Sequence, residues 1–563
     1  MMRLDRIGQS RGAKGVALLI VFLTHATYIF NGFTWLDHGD ILTGRALPMP
    51  GHLLEAMVAR YGETSFYRPV VTLTLWLDSV VYGERSWGFH LTNVLLHVGV
   101  CASFIWAMQR VVVLPTWAIL CGMVVAGVHP LSWLSVGAIS YRPDLLAVLC
   151  SLLALGCYAE YRLSSGASAK LFGVAAFAAL SLLSKETALF WVPALFLVWE
   201  YSTRKGTRSS RDVALVWGAV LVVAAAYVAL RLVAVPEGWS RTSVPLHSAE
   251  EVGTRLAAVA RQLQYVFDPR LPELSDAVPI VGLGWEAGIG AVALASMVAA
   301  SLRWRGTQVG WVLGFCLVAL APSLNLVPLP RFTSPHYGYL LSFGMGMSIA
   351  LAVGWMRGRS VFARRLGFGG LALWTLLASV STCRGGFRFK DDAALFGVAV
   401  EADPRFLEGH HYLGEAAARR GDLARASEHF EAALKFRDDT IAYVDWASAA
   451  TSLAGIRLQQ ERYDEADRLL VKIQEGVTGT KARRIIYNRA VVAERQKRYV
   501  DVVDLLSNER WDRPEPVMLL ARSLSALGKI NEAIAQLERA VPMLDANRRL
   551  YVEDMIQSMK GER

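Results

Sequence analysis

Long apolar segments constrain this chain more than any other feature of its sequence. Hydrophobic residues make up 54% of its 563 residues, which is too large a share for a soluble protein. We count about eleven segments apolar enough to cross a bilayer as helices, most of them roughly 17–22 residues long. They are 15–31, 87–108, 111–128, 145–161, 171–183, 188–201, 213–233, 278–302, 309–327, 337–355 and 367–382. The sequence therefore predicts an all-α fold that begins with a polytopic membrane domain.

Basic residues predict how these segments are oriented. Arg3, Arg6 and Lys14 precede the first segment, and the clusters at 204–211 and 357–365 fall on the same side if the segments alternate. Short loops rich in Lys and Arg are typical of the cytoplasmic face. The net charge of +10 is thus explained by orientation, and we expect no nucleic-acid partner. An odd number of spans places the C-terminal part on the outer face.

The chain divides into a transmembrane domain at 1–385 and a soluble repeat domain at 386–563. The segment YLGEAAARRGDLARASEHFEAAL matches the packing positions of a tetratricopeptide repeat. Its small-residue position recurs at Ala426, Ala466, Val502 and Ala533. This pattern predicts an α-solenoid, which either binds a peptide or partner protein or only braces the membrane domain.

The cysteines do not indicate a disulfide framework or a metal site. Five of the six lie inside apolar stretches without ligand spacing, and Cys383 stands alone. No His, Asp and Glu cluster has convincing metal spacing either, and a divalent metal oriented by Asp40 is an alternative to an acceptor oriented by it. We read the N-terminal apolar segment as a retained signal-anchor, because no small-residue cleavage site is clear.

Polar residues concentrate on the predicted outer face, around the stretch GFTWLDHGDI that follows the first span. Ionisable groups at the ends of spans are costly to keep near hydrocarbon, so their concentration on one face favours a functional site. Solvated loops, packing histidines and helix caps are the alternatives. The candidates are Asp37, His38, Asp40, Tyr67, Arg68, His90, His129, Arg142, Asp144, Lys185, Glu186, Arg331 and His336.

The order of the outer motifs resembles a known family. The motifs are FTWLDHGDI, SFYRPVVTLTLWLDSVVYG, GFHLTNVLLH, GVHPLSWLSVGAISYRPDLLAVL, LSLLSKETALFWVPALFLVWEY and LNLVPLPRFTSPHYGYLLSFG. They look like those of the type-C membrane glycosyltransferases, in particular the transmembrane and tetratricopeptide-repeat O-mannosyltransferases and their bacterial relatives. The resemblance implies an inverting transfer of sugar from a polyprenyl-phosphate-linked donor to an acceptor hydroxyl, and we expect that hydroxyl to belong to a protein.

Residue roles follow from this resemblance. Asp37 is expected to act as the general base, and Asp40 to orient the acceptor. Arg68, Arg142, Lys185, Arg331 and His336 are expected to hold the donor phosphate, because guanidinium groups bind phosphate oxygens in pairs. Arg68 and Arg142 have an alternative role as structural ties between loops. We expect a bacterial inner membrane with the repeats in the periplasm, or alternatively the endoplasmic reticulum membrane with the repeats in the lumen.

Three departures from the family pattern keep other functions open. Leu36 stands where a second acidic residue usually precedes Asp37, Leu134 where a Glu usually lies, and His336 where an Arg is expected. A catalytically inactive scaffold that recruits partners through its repeats is therefore the main alternative. A transporter of lipid-linked sugars is another, but it predicts charged residues deep inside several spans, and we see few.

Overall fold

The computed structural model of the protein describes residues 11–42, 52–62, 64–163, 168–203, 210–236, 249–326, 329, 331–437, 439–474, 477 and 479–561. Among the basic residues that predicted orientation, Arg3, Arg6, Arg204, Lys205 and Arg208 lie outside these ranges. The chain forms two compact units. The membrane unit extends to Arg405 and also includes Arg437–Tyr443, and the repeat unit comprises Phe406–Phe436 and the chain from Val444 onward.

The membrane unit is helical, as the hydrophobic pattern predicted. Its only described strands are the two-residue segments β1 (Val278–Pro279) and β2 (Thr440–Ile441). Its α-helices are α1 (Arg11–His25), α2 (Leu53–Val58), α3 (Pro69–Tyr82), α4 (Ser86–Val111), α5 (Thr116–Gly127), α6 (Ser132–Gly137), α7 (Arg142–Leu163), α8 (Ser168–Leu182), α9 (Ala188–Thr203), α10 (Ser210–Ala234), α11 (Ala249–Phe267), α12 (Trp285–Arg303), α13 (Gln308–Leu320), α14 (Tyr339–Trp355), α15 (Val361–Gly386) and α16 (Asp392–Ala402).

Six described helical segments are long and apolar enough to cross a membrane, by length and composition. They are Ser86–Val111, Ile139–Leu163, Arg211–Ala234, Trp285–Arg303, Pro335–Trp355 and Val361–Lys390. Five shorter apolar helices of 10–17 residues accompany them. One of these, α3, was not among the predicted segments, although its 14 residues match the length of the predicted segment 188–201. These helices confirm the predicted polytopic, all-α class.

Close helix packing in the membrane unit depends on glycine. A Cβ atom built on Gly122 of α5 would lie 2.1 Å from the carbonyl oxygen of Gly346 in α14. The reverse distance, from a Cβ on Gly346 to the Gly122 oxygen, is 2.5 Å. Any side chain at either position would collide with backbone, so the two helices pack this closely only because both residues lack one.

Helix α11 lies within the long segment 234–277, and its apolar residues Val252, Leu256, Val259, Leu263 and Val266 recur at the spacing of one helical face. Val259 and Val266 are buried as expected, but Val252 is 53% exposed. Leu256 and Leu263 are half-buried, and the buried side also includes Ala258 and Gln262. Gln262 donates a hydrogen bond to the Ser334 carbonyl oxygen at 2.9 Å, a polar contact that an apolar pattern does not show.

The repeat unit is a series of antiparallel helix pairs, which confirms the predicted solenoid class. The four small landmark residues Ala426, Ala466, Val502 and Ala533 are all 0% exposed. Gly414 faces Phe430 so closely that a Cβ would lie 2.9 Å from the ring. The helices are α17 (Leu407–Arg419), α18 (Leu423–Ala433), α19 (Trp446–Gln459), α20 (Tyr463–Gln474), α21 (Gly479–Arg495), α22 (Tyr499–Ser507), α23 (Pro514–Ala526), α24 (Ile530–Ala540) and α25 (Ala546–Gly561).

Candidate active site

The turn that follows α1 holds Asp37 in a constrained position. The Asp37 amide donates to the Thr34 carbonyl oxygen at 3.0 Å. Between them, Trp35 adopts a φ of 58°, the left-handed region that non-glycine residues rarely occupy, at a cost of about 1–3 kcal/mol. Trp35 is only 2% exposed and packs against the rings of Tyr141 and Phe396. Tertiary packing thus stabilises a strained turn two residues before Asp37.

The Asp37 carboxylate is fully buried and held by neutral donors. One oxygen accepts hydrogen bonds from the Ser140 amide at 2.9 Å and its hydroxyl at 2.6 Å. The other accepts from the Thr34 amide at 3.3 Å. Burial raises the pKa of Asp37 from 3.8 to about 6, although the bonds from Ser140 and Thr34 oppose the shift. A carboxylate with this pKa is ionised at neutral pH and is a better proton acceptor than an ordinary Asp.

Asp40 and His38 lie in the π-helical turn His38–Leu42 and contact different partners. The Tyr61 hydroxyl donates to an Asp40 oxygen at 3.3 Å. His38 pairs with Asp392, whose other oxygen accepts the Trp35 amide, both at 2.8 Å. Asp392 therefore ties the segment after α15 to the turn after α1. If both helices cross the membrane, the two segments emerge on the same face.

Arg68 and Glu186 form a two-point ion pair between the start of α3 and the turn before α9. The two nitrogen–oxygen distances are 3.1 and 2.7 Å, and both side chains are about nine-tenths buried. Burial raises the pKa of Glu186, but Arg68 and then Lys185 lower it by more, so that pKa lies below its ordinary value. The pair therefore stays charged at neutral pH.

Arg142 and Lys185 are also paired with carboxylates. Lys185 contacts an Asp144 oxygen at 2.5 Å. Arg142 is 0% exposed and lies 2.6 Å from an Asp78 oxygen. It also donates to the Asn93 side chain at 2.8 Å and to the Phe89 carbonyl at 3.0 Å. Of the two roles open to Arg142, this placement favours the structural tie, because its Nε and Nη2 atoms join α3, α4 and α7. Its buried Nη1 has no hydrogen-bond partner among the described residues.

Arg331 and His336 approach the Asp37 turn from the segment before α14. The Arg331 guanidinium carbon lies 4.9 Å from the centre of the Trp35 ring. The His336 ring packs 4.3 Å from the Tyr141 ring, and its Nδ1 is 2.6 Å from the Ser334 hydroxyl. These side chains therefore share neighbours with the Asp37 turn.

Three other candidates are engaged by the backbone. His90 contacts the Gly32 carbonyl at 3.0 Å, His129 the Val266 carbonyl at 2.9 Å, and the Tyr67 hydroxyl the Met57 carbonyl at 3.0 Å. All three are at most 2% exposed. Their bonds connect loops and helices, which agrees with the packing alternative considered for the histidines.

The structure brings most of the predicted cluster together. Asp37 interacts electrostatically with Asp40, and Tyr61 with both Asp40 and Arg68. Ser140, Tyr61 and Asp392 were missed, because an ordinary Ser, Tyr or Asp carries no pattern that marks its partner. Among the described residues, no three His, Cys, Asp or Glu side chains come together as metal ligands.

Curated proteins similar in sequence to this chain are named as O-mannosyltransferases. Protein O-mannosyl-transferase TMTC2 of Mus musculus is 32% identical over 117 residues, which are 21% of this chain and 14% of that protein. Protein O-mannosyl-transferase Tmtc2 of Drosophila melanogaster is 31% identical over 205 residues, which are 35% of this chain and 22% of that protein. The matches thus span less than a quarter of either relative. They confirm the resemblance that the motifs indicated.

Family profiles and solved structures show weaker similarity to this chain. No protein-family profile matches the chain. A crystal structure of ArnT from Cupriavidus metallidurans bound to undecaprenyl phosphate aligns with a TM-score of 0.41 and 16% identity, covering 84% of this chain and 82% of ArnT. Yeast Tom70 aligns with a TM-score of 0.25 and 11% identity, covering 76% of this chain and 92% of Tom70. Both scores are too low to identify a shared fold, and our fold assignment rests on the helices described above.

Proposed function

We propose that this protein is a membrane glycosyltransferase that moves a sugar from a polyprenyl-phosphate donor to an acceptor hydroxyl. The observation that carries the proposal is the Asp37 carboxylate, which is buried, held by neutral donors and has a pKa raised to about 6. Similarity to curated O-mannosyltransferases supports the same reaction class. The acceptor is a protein, on the periplasmic or lumenal face.

Asp37 accepts the proton of the acceptor hydroxyl as that oxygen attacks the anomeric carbon. Ser140 and Thr34 hold the carboxylate in place, and Asp40 orients the acceptor. The bond to the phosphate oxygen breaks in the same displacement, so the anomeric centre is inverted. General-base catalysis of this kind contributes about 10²–10⁴-fold to the rate.

The donor phosphate lies beside Arg331, with Lys185, His336 and Arg68 nearby. The electrostatic neighbours of His336 include Lys185, Arg331 and Arg68, so these side chains face one region. The phosphate competes with Asp144 for Lys185 and with Glu186 for Arg68. Arg142 is fully buried and acts as a tie between helices.

The repeats present the acceptor or bind a partner protein, since stacked repeats form extended binding surfaces. We place the protein in a bacterial inner membrane with its N-terminus cytoplasmic and its repeats periplasmic, or else in the endoplasmic reticulum membrane. The contact of Asp392 with the Asp37 turn supports one common face for that turn and for the segment that leads into the repeats.

The test compares wild type with Asp37→Asn in membranes that contain a labelled polyprenyl-phosphate sugar and native acceptors. We expect the variant to lose about 10²–10⁴-fold of the transfer rate while it binds the lipid as wild type does. Asp268→Asn, on an outer loop and paired with the exposed Arg270, is the matched control and should transfer normally. Equal transfer by Asp37→Asn and wild type would show that Asp37 is not the base.

A catalytically inactive scaffold remains the second candidate, and one observation favours it. Arg68, Arg142 and Lys185 are each already paired with a carboxylate, as in a site that no longer needs to bind phosphate. This candidate predicts that wild type transfers no label from any donor in a panel of sugars, while its repeats still bind a partner protein.

A further inference from the structure

A short segment between two repeat helices belongs to the membrane unit. Helix α18 ends at Ala433 and α19 begins at Trp446, yet Arg437–Tyr443 between them groups with the membrane unit. The chain therefore leaves the repeats, contributes the segment Arg437–Tyr443 to the membrane unit and returns. Such a return has to be held by specific contacts, because loop residues between repeat helices otherwise lie at the surface.

Backbone pairing holds this segment in register. Strand β2 is antiparallel to β1, with Ile441 opposite Val278 and Thr440 opposite Pro279. The Ile280 amide donates to the Asp439 carbonyl at 2.8 Å, and the Tyr443 amide to an Asp276 oxygen at 3.3 Å. Ile441 is 9% exposed and packs in one apolar cluster with Val278 and Phe332. Since Phe332 adjoins Arg331, this cluster fixes Tyr443 and Arg331 relative to each other.

The Tyr443 ring lies against the Arg331 guanidinium group. The guanidinium carbon is 4.9 Å from the centre of the Tyr443 ring and 4.9 Å from the centre of the Trp35 ring. An aromatic ring attracts the face of a guanidinium group, whereas the hydrogen-bond donors of Arg lie along its edge. Contacts with two rings therefore restrict the position of the Arg331 guanidinium group.

We propose that Tyr443 is a positioning residue that orients Arg331 for the donor phosphate, an inference that rests on the proposed function. Trp35 supplies the second ring and belongs to the turn that carries Asp37. Arg331 is thus fixed between the turn of the catalytic base and a segment bounded on both sides by repeat helices. Donor binding thereby depends on a residue that lies outside the predicted transmembrane domain.

The experiment titrates the full-length protein in lipid nanodiscs with undecaprenyl phosphate, which measures binding without requiring transfer. Tyr443→Leu removes the ring and should raise Kd about fivefold, the change expected for one partly buried cation–π contact. Tyr443→Phe keeps the ring and should bind as wild type does. Tyr551→Leu, at a 68% exposed tyrosine in α25, is the control and should change nothing.

A double variant separates positioning from a general structural effect. In an Arg331→Ala background, Tyr443→Leu should cause no further loss, because Tyr443 acts through Arg331. An equal loss in both backgrounds, or unchanged binding by Arg331→Ala, would overturn the inference. If Tyr443→Leu melts at a lower temperature than wild type, Tyr443→Met fills the same volume without a ring and carries the same expectation. Loss of transfer in Asp37→Asn is independent of these results, so the two proposals can fail separately.

Discussion

The two sides of the candidate site hold their charges in opposite ways. On the carboxylate side, Asp37 accepts hydrogen bonds from Ser140 and Thr34, which carry no charge. On the cation side, Arg68 is paired with Glu186 and Lys185 with Asp144. Both sides are buried, so the difference lies in the partners and not in the exposure.

This difference separates groups that change their charge from groups that keep it. A buried carboxylate with only neutral donors has a raised pKa and exchanges a proton near neutral pH. A buried ion pair keeps both charges, and removal of one partner leaves the other uncompensated. The carboxylate side is thus suited to proton transfer and the cation side to holding helices and an anionic substrate in place.

The largest effect is expected at Arg142, the most deeply buried cation of the cation side. Arg142→Met leaves Asp78 buried without its partner and should lower the free energy of unfolding by about 3–5 kcal/mol. Denaturation of the full-length protein in detergent measures this change. The double variant Arg142→Met/Asp78→Leu removes both charges and should recover most of the loss. A stable Arg142→Met that no longer binds undecaprenyl phosphate would instead make Arg142 a donor ligand.

The next effect is a pH dependence that comes from the carboxylate side. Because the pKa of Asp37 is raised to about 6 in the folded protein, the rate of transfer should fall as pH drops through 6. An ion-paired Asp makes the folded state more stable as pH rises. Asp37 has the opposite effect, since the folded state binds the proton more tightly than the unfolded state does. Stability from this group is therefore lost as pH rises from about 4 to 6, by about 3 kcal/mol.

The variant Asp37→Asn tests whether Asp37 makes the folded protein less stable as pH rises. The stability of wild type relative to the variant should decrease by about that amount between pH 4 and pH 7, whatever the offset at pH 4. Denaturation curves at several pH values measure the difference. A wild type that gains stability over the variant as pH rises would mean that Asp37 has a cationic partner, and the contrast between the two sides would disappear.

A smaller effect is expected at Ser140, which opposes the raised pKa of Asp37. Ser140→Ala removes the hydroxyl bond of 2.6 Å but keeps the backbone amide. The pH below which the transfer rate falls should therefore rise by about one unit. Ser135→Ala is the matched control, since the buried Ser135 hydroxyl has no hydrogen-bond partner among the described residues. If the transfer rate of Ser140→Ala falls at the same pH as that of wild type, a group other than Asp37 causes the fall.

Local patterns in the sequence predicted one part of this molecule and missed another. Hydrophobic length predicted the membrane helices, and the spacing of Ala426, Ala466, Val502 and Ala533 predicted four fully buried positions. These properties repeat along the chain, so a single sequence displays them. The position of Asp37 after an apolar span also predicted a site at the membrane surface, and this stays a prediction.

The partners of the site residues could not be predicted in the same way. Ser140 lies 103 residues from Asp37, and Asp392 lies 354 residues from His38. Such pairs form because distant helix ends meet in the fold, and no local periodicity records which ends meet. Tyr443 was missed for a further reason, since the repeat pattern assigns its segment to the solenoid while backbone pairing with Val278 and Pro279 draws it into the membrane unit.

The smallest effect is expected at His38, which is paired with a carboxylate but is itself partly exposed. His38 is 26% exposed and contacts Asp392, which is 1% exposed. A partly exposed pair contributes less than about 1 kcal/mol, and the Gln amide can also donate to Asp392. His38→Gln should therefore unfold and transfer almost as wild type does, within about twofold in rate.

Asp392→Ala removes the partner of His38 and should have a larger effect than His38→Gln. Loss of the carboxylate leaves the buried Trp35 amide without the acceptor at 2.8 Å, at a cost of about 1–3 kcal/mol. It also releases the turn whose strained Trp35 positions Asp37, so the rate of transfer should fall with stability. If His38→Gln abolishes transfer while both variants fold normally, His38 itself takes part in proton transfer. The carboxylate side would then contain a second titrating group, and the contrast with the ion-paired side would be sharper than Asp37 alone makes it.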